Sequence, residues 1–62
     1  MTIAQIRAHL GMTRADFANA VGVSQPTVSR WEAGLMFPSY HVAKRIAALV
    51  DGVSVDDLVR AA

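Results

Sequence analysis

Between Ser24 and Gly34 the chain reads SQPTVSRWEAG, and this stretch concentrates side chains that can form directed hydrogen bonds. Wound as a helix at 100° per residue, it places Val28 and Trp31 on one side, while Gln25, Pro26, Ser29, Arg30 and Ala33 sweep the opposite arc. That arc carries an amide, a hydroxyl and a guanidinium and no acid. These groups suit the edges of base pairs, the guanidinium matching guanine and the amide matching adenine. Pro26 donates nothing, but its ring can touch a thymine methyl and so read shape. The expected chemistry is non-covalent recognition, with Gln25, Pro26, Ser29 and Arg30 as base readers and Trp31 packed in the core with Val28 rather than stacked on a base.

Such a helix needs a scaffold, and five helices can be read along the 62 residues. Thr2 and Gln5 have capping-box spacing, and Ile3, Ile6 and Leu10 form an apolar stripe that stops at Gly11. Thr13 caps a second helix, in which Phe17, Ala18 and Val21 recur at helical spacing before Gly22. Ser24 caps the third, Pro26 lies in its first turn, where a missing N–H costs nothing, and Gly34 ends it. Pro38 and Ser39 open a fourth helix whose Ala43, Ile46, Ala47 and Val50 share a face, with Gly52 as its stop. Ser54 and Asp57 repeat the capping spacing for a last short helix through Leu58 to Arg60, where Asp56 and Asp57 suit the positive helix start. No stretch alternates as a strand would. The expected fold is all-α, a compact bundle of five short helices forming a single domain over residues 1–62.

Helix two, a three-residue turn and helix three make a helix-turn-helix unit over residues 13–34. Its physical requirements are met. Gly22 can take positive φ at the corner, Ala18 is small enough for close helix approach, and Phe17, Val21, Val23, Val28 and Trp31 supply a shared core. Arg14, at the start of helix two, lies beside backbone N–H groups that attract phosphate.

The segment TRADFANAVGVSQPTVSRWEAG, Thr13 to Gly34, resembles the Cro/lambda-repressor-like (XRE) family of bacterial and phage regulators. The arginine of helix one, Pro38-Ser39 and the closing GVSVDDL extend the likeness over nearly the whole chain. The resemblance implies that Arg14 and Thr27 hold phosphates while Gln25, Pro26 and Arg30 face bases, and that Arg7 and Glu32 pair to tie helix one to helix three. Thr13, Ser24, Ser39 and Lys44 complete the candidate phosphate contacts. The implied function is sequence-specific binding of double-stranded DNA by a transcriptional regulator, a repressor acting as a homodimer on an inverted-repeat operator. Two departures from the family pattern stand out. Leu35, Met36 and Phe37 occupy the loop where members often carry Lys or Arg, and helix four extends one residue further before Gly52.

Composition bounds these readings. A chain this short buries only about 60% of the surface that its unfolded form exposes, so its core is thin. With 53% hydrophobic residues and no cysteine, apolar packing has to carry stability without disulfide or thiolate-metal support. Net charge is +1, but residues 1–50 carry +3 and residues 51–62 carry −2, a basic body with an acidic end. His9 and His41 are far apart and lack clustered ligands, so no metal site is expected. No cysteine nucleophile, His–carboxylate cluster or glycine-rich phosphate loop points to an enzyme, a cofactor or a small-molecule ligand. The longest apolar runs, such as Ile46 to Val50, are too short to span a bilayer, and no secretory signal opens the chain. The expectation is a cytoplasmic, nucleoid-associated protein. A different function class also fits the fold: a protein-interaction module, such as an antitoxin or phage-encoded inhibitor, docking through Leu35 to Phe37. The same three residues can alternatively cover the small core.

Overall fold

The computed structural model describes the backbone of residues 1–60 and the side chains of residues 1–59. Five helices follow in order: α1 (Ile3–His9), α2 (Arg14–Val21), α3 (Gln25–Glu32), α4 (Tyr40–Ala47) and α5 (Val55–Arg60). There is no strand among the described residues. The Cα trace spans 23 × 23 × 18 Å.

One local grammar starts all five helices. Each has an apolar residue, then Ser or Thr, then three residues, then a second apolar residue: Met1 to Ile6, Met12 to Phe17, Val23 to Val28, Pro38 to Ala43 and Val53 to Leu58. The hydroxyl oxygen accepts the backbone N–H three residues on, as Thr2 does from Gln5, Thr13 from Asp16, Ser24 from Thr27, Ser39 from Val42 and Ser54 from Asp57. Such a cap contributes about 1 kcal/mol. The second apolar residue is buried in every case, and the flanking pair has the spacing of a hydrophobic staple, which fixes the angle at which the chain enters the helix. Gln5 and Asp16 also return a side-chain bond to the N–H of Thr2 and Thr13, completing capping boxes on α1 and α2.

The core is continuous. Ile3 and Ile6 of α1 join Phe17, Ala18 and Val21 of α2, Val28 and Trp31 of α3, Ala43 and Ile46 of α4, and Leu58 of α5. Phe17 and Val28 are fully buried and Trp31 is 3% exposed, so the indole belongs to the core as its helical position predicts. Full burial of a side chain of this size contributes about 1.5–3 kcal/mol. α3 packs on α2 and on α1, while α4 packs on α5 and α2. The third helix is therefore supported from behind and along one side.

Helix four is shorter than its apolar pattern suggests. It ends at Ala47 with Ala48 as its cap, and residues 48–52 form turns rather than further helix. Val50 is still buried, at 8% exposure, but reaches the core from the turn. Periodicity cannot distinguish these cases, because Val50 lies four residues past Ile46 on the same apolar stripe. In the loop after α3, Leu35, Met36 and Phe37 are 77%, 40% and 45% exposed, whereas Pro38 is buried beside them in sequence.

Candidate nucleic-acid interface

The α2–turn–α3 unit presents α3 to solvent. Gly22 closes α2 with φ +78°, and its N–H bonds the Ala18 carbonyl, as does that of Val23. This left-handed corner lets the chain turn from α2 into α3 within three residues, 22–24. At the far end, the N–H of Leu35 bonds the Arg30 carbonyl at 2.9 Å and that of Gly34 bonds the Trp31 carbonyl at 3.1 Å. With Gly34 at φ +75°, this is a Schellman closure one residue past the Ala33 cap.

The outward arc of α3 lies where helical geometry puts it. Gln25, Pro26 and Arg30 are exposed, and Ser29 is half-buried. The Arg30 side chain makes no hydrogen bond or ion pair with another described residue. Its guanidinium is therefore available to a partner without first breaking an internal contact.

The phosphate candidates divide into groups. Thr13, Arg14 and Gln25 line one open cleft of about 410 Å³ together with Arg7, between the starts of α2 and α3. Ser24 and Thr27 meet at the start of α3, with their hydroxyl oxygens 2.9 Å apart. Ser39 caps α4 and Lys44 lies on it, and neither lines the cleft. The Lys44 ammonium sits 5.7 Å from the centre of the Tyr40 ring, a cation–π contact along its own helix. Thr13 and Ser39 use a hydroxyl oxygen to cap their helices, which leaves each O–H free to donate outward.

Behind the cleft stands Glu32, whose side chain is only 8% exposed. Arg7 donates Nε to its Oε2 at 2.9 Å and Nη2 to its Oε1 at 3.3 Å, and spends Nη1 on the Met12 carbonyl at 3.2 Å. The pair thus ties α1 to α3, as the family resemblance implied. Burial pushes the Glu32 carboxyl up, but hydrogen bonds from Arg7 and Arg14 and their two positive charges outweigh it and hold the group below the usual carboxylate range.

Two relationships escape a reading of the sequence. Arg14 also reaches Glu32, its Nε 3.1 Å from Oε1, with half of its side chain exposed. The residues are 18 apart on different helices, so no periodicity relates them. Arg45 of α4 donates Nη1 to the Val21 carbonyl at 3.3 Å and has Nη2 3.1 Å from His41 Nε2. The four-residue spacing could have suggested the His41 contact. The capping of α2 from another helix could not be found that way.

The helix-turn-helix family model matches residues 3–58, from the first residue of α1 to the buried Leu58 of α5. The chain belongs to the Cro/C1-type helix-turn-helix (XRE) family. Among curated proteins and among solved structures, none matches the chain. Membership makes this a DNA-binding helix-turn-helix of a regulatory class, and α3 is the helix such a unit presents to the major groove. No helix among the described residues is long and apolar enough to cross a membrane, and no three of their His, Asp or Glu side chains cluster as metal ligands.

Proposed function

We propose that this XRE-family member is a transcriptional regulator, a repressor that binds an inverted-repeat operator as a homodimer. The observation that carries this reading is the exposed, internally unpaired arc of α3, with Gln25, Pro26 and Arg30 outermost and Ser29 at its edge. These four read bases. Arg30 supplies the bidentate contact to guanine, Gln25 the amide contact to adenine, and Pro26 an apolar surface for a thymine methyl. Thr13, Arg14, Ser24, Thr27, Ser39 and Lys44 hold phosphates and fix register, with Thr13 and Arg14 at the cleft beside Gln25.

A single eight-residue helix reaches only a few base pairs, which is the reason to expect two copies on one site. Two-fold symmetry then places inverted half-sites about one helical turn apart, roughly 10 base pairs centre to centre. Selection from a random duplex pool, followed by sequencing, tests this directly. Enrichment of a palindrome with that spacing is the expected result, and a pool that stays random after repeated rounds overturns the reading.

A second reading has its own observation. Leu35, Met36 and Phe37 are all exposed, and Leu35 is the most exposed large apolar residue among those described. An antitoxin or phage-encoded inhibitor using this fold would dock through that loop. Such a protein would retain a partner while failing to bind any duplex at low salt, which separates it from the regulator.

A further inference from the structure

Arg7 and Glu32 form a complete structural pair without help. All three guanidinium nitrogens of Arg7 are engaged, two on the carboxylate and one on the Met12 carbonyl. Arg14 adds a third donor to the same carboxylate, through Nε alone. As a contribution to stability this bond counts for little, because half of the Arg14 side chain is exposed and such ion pairs are largely screened. What it does is order a long, flexible side chain at the lip of the cleft lined by Arg7, Thr13, Arg14 and Gln25. The Nη1 and Nη2 atoms of Arg14 make no hydrogen bond with another described residue.

We propose that Glu32 is a positioning residue for DNA binding: it grips Arg14 by Nε so that the terminal nitrogens stand ready for a phosphate oxygen. The inference rests on the DNA-reading function above and assigns Glu32 a role beyond joining α1 to α3. A carboxylate that sequestered Arg14 would engage two of its nitrogens in a fork, the geometry that Arg7 adopts through Nε and Nη2. Here Arg7 makes the two-point contact, and Arg14 is held at one point. Ordering a side chain before binding removes part of the entropy cost of the contact. Arginine serves the two anions from separate nitrogens of one rigid fork, whereas lysine must reach both from a single nitrogen on its flexible stem.

A double-mutant cycle tests the idea in the full chain, with a random-sequence duplex at low salt as the probe. Circular dichroism and Trp31 emission verify that each variant is folded at the temperature used. Glu32→Gln keeps the side-chain shape and an oxygen for Arg7 while removing the charge that holds Arg14. It is expected to weaken binding about 5- to 10-fold, as does Arg14→Ala, and to add nothing in the Arg14→Ala background. Equal losses in both backgrounds mean that Glu32 acts through the fold alone and overturn the proposal, as does tighter binding by Glu32→Gln. Arg14→Lys leaves the Arg7–Glu32 pair untouched, so it remains informative if Glu32→Gln does not fold. It should bind more weakly than the wild-type chain although its charge is kept, and wild-type affinity in Arg14→Lys overturns the proposal. Failure of the wild-type chain to bind any duplex refutes the DNA-reading function itself, whereas an additive cycle refutes only the role of Glu32.

Discussion

The guanidinium of Arg45 lies against Gly22. Its Nη1 donates to the Val21 carbonyl at 3.3 Å and would be 2.9 Å from a Cβ placed on the glycine. The corner of the helix-turn-helix is thus closed twice, by the left-handed backbone of Gly22 at φ +78° and by a cation from α4 on the last residue of α2. Gly22→Ala is expected to destabilise the chain by about 1–2 kcal/mol, the cost of holding an L-residue in that conformation. The steric part is smaller, because the end of a flexible arginine can swing away. In an Arg45→Ala background, Gly22→Ala should therefore cost slightly less, but most of the loss should remain. Thermal denaturation of the four chains measures both quantities.

Arg30→Ala separates recognition from folding. The side chain is exposed and makes no contact that stability depends on, so the melting temperature should be unchanged. Discrimination between the selected operator and a duplex mismatched at one position should fall by about 1–3 kcal/mol. Fluorescence anisotropy on matched and mismatched duplexes checks this, and unchanged selectivity would sink the assignment of Arg30 as a base reader.

Much of this arrangement is legible in the sequence because it is local. The five caps are written as Ser or Thr before an apolar residue four positions on, and the α2–α3 corner as a glycine between two apolar stripes. The inward turn of Val28 and Trp31 follows from the helical repeat, and with it the outward face of Arg30. What stays hidden is tertiary. Val50 reaches the core from a turn, although it keeps the helical rhythm of Ile46 and Ala43. Arg14 and Arg45 have no internal partner that the sequence announces until the packing of α2 against α3 and α4 brings Glu32 and the Val21 carbonyl within reach. The Arg7–Glu32 pair comes from likeness to a family, since nothing in its 25-residue separation announces contact.

Acid should weaken the junction of α1 and α3 through Glu32. The carboxyl lies below its ordinary value of 4.5 in the folded chain, so its stabilising contribution is complete above that value. It is lost as pH falls from there through the lower folded-state value, because the unfolded chain takes up the proton first. Wild-type chain and Glu32→Gln should therefore differ in stability by a constant amount at neutral pH, and the gap should close below 4.5. Urea denaturation across that range measures it, and a gap that persists at low pH would remove the ionic basis of the pair.

The loop after α3 supplies the last prediction. Leu35 follows Gly34 directly, is 77% exposed, and sits where family resemblance leads one to expect a cation. Its N–H already closes the end of α3 on the Arg30 carbonyl, a backbone bond that a change of side chain leaves intact. Leu35→Lys should therefore leave stability within about 0.5 kcal/mol, since no buried contact is lost. On the DNA-reading proposal, the new ammonium lies one turn beyond Arg30 and gains a phosphate. Affinity for all duplexes should rise, and the slope of log K against log salt should steepen by about 1 per protomer, with selectivity unaltered. A partner-docking loop predicts the reverse pattern: no duplex bound by either chain and the partner lost, because a charge placed in a desolvated apolar contact costs binding energy. Salt titrations of the wild-type and Leu35→Lys chains on one duplex, beside pull-down of any bound partner, decide which surface the loop serves.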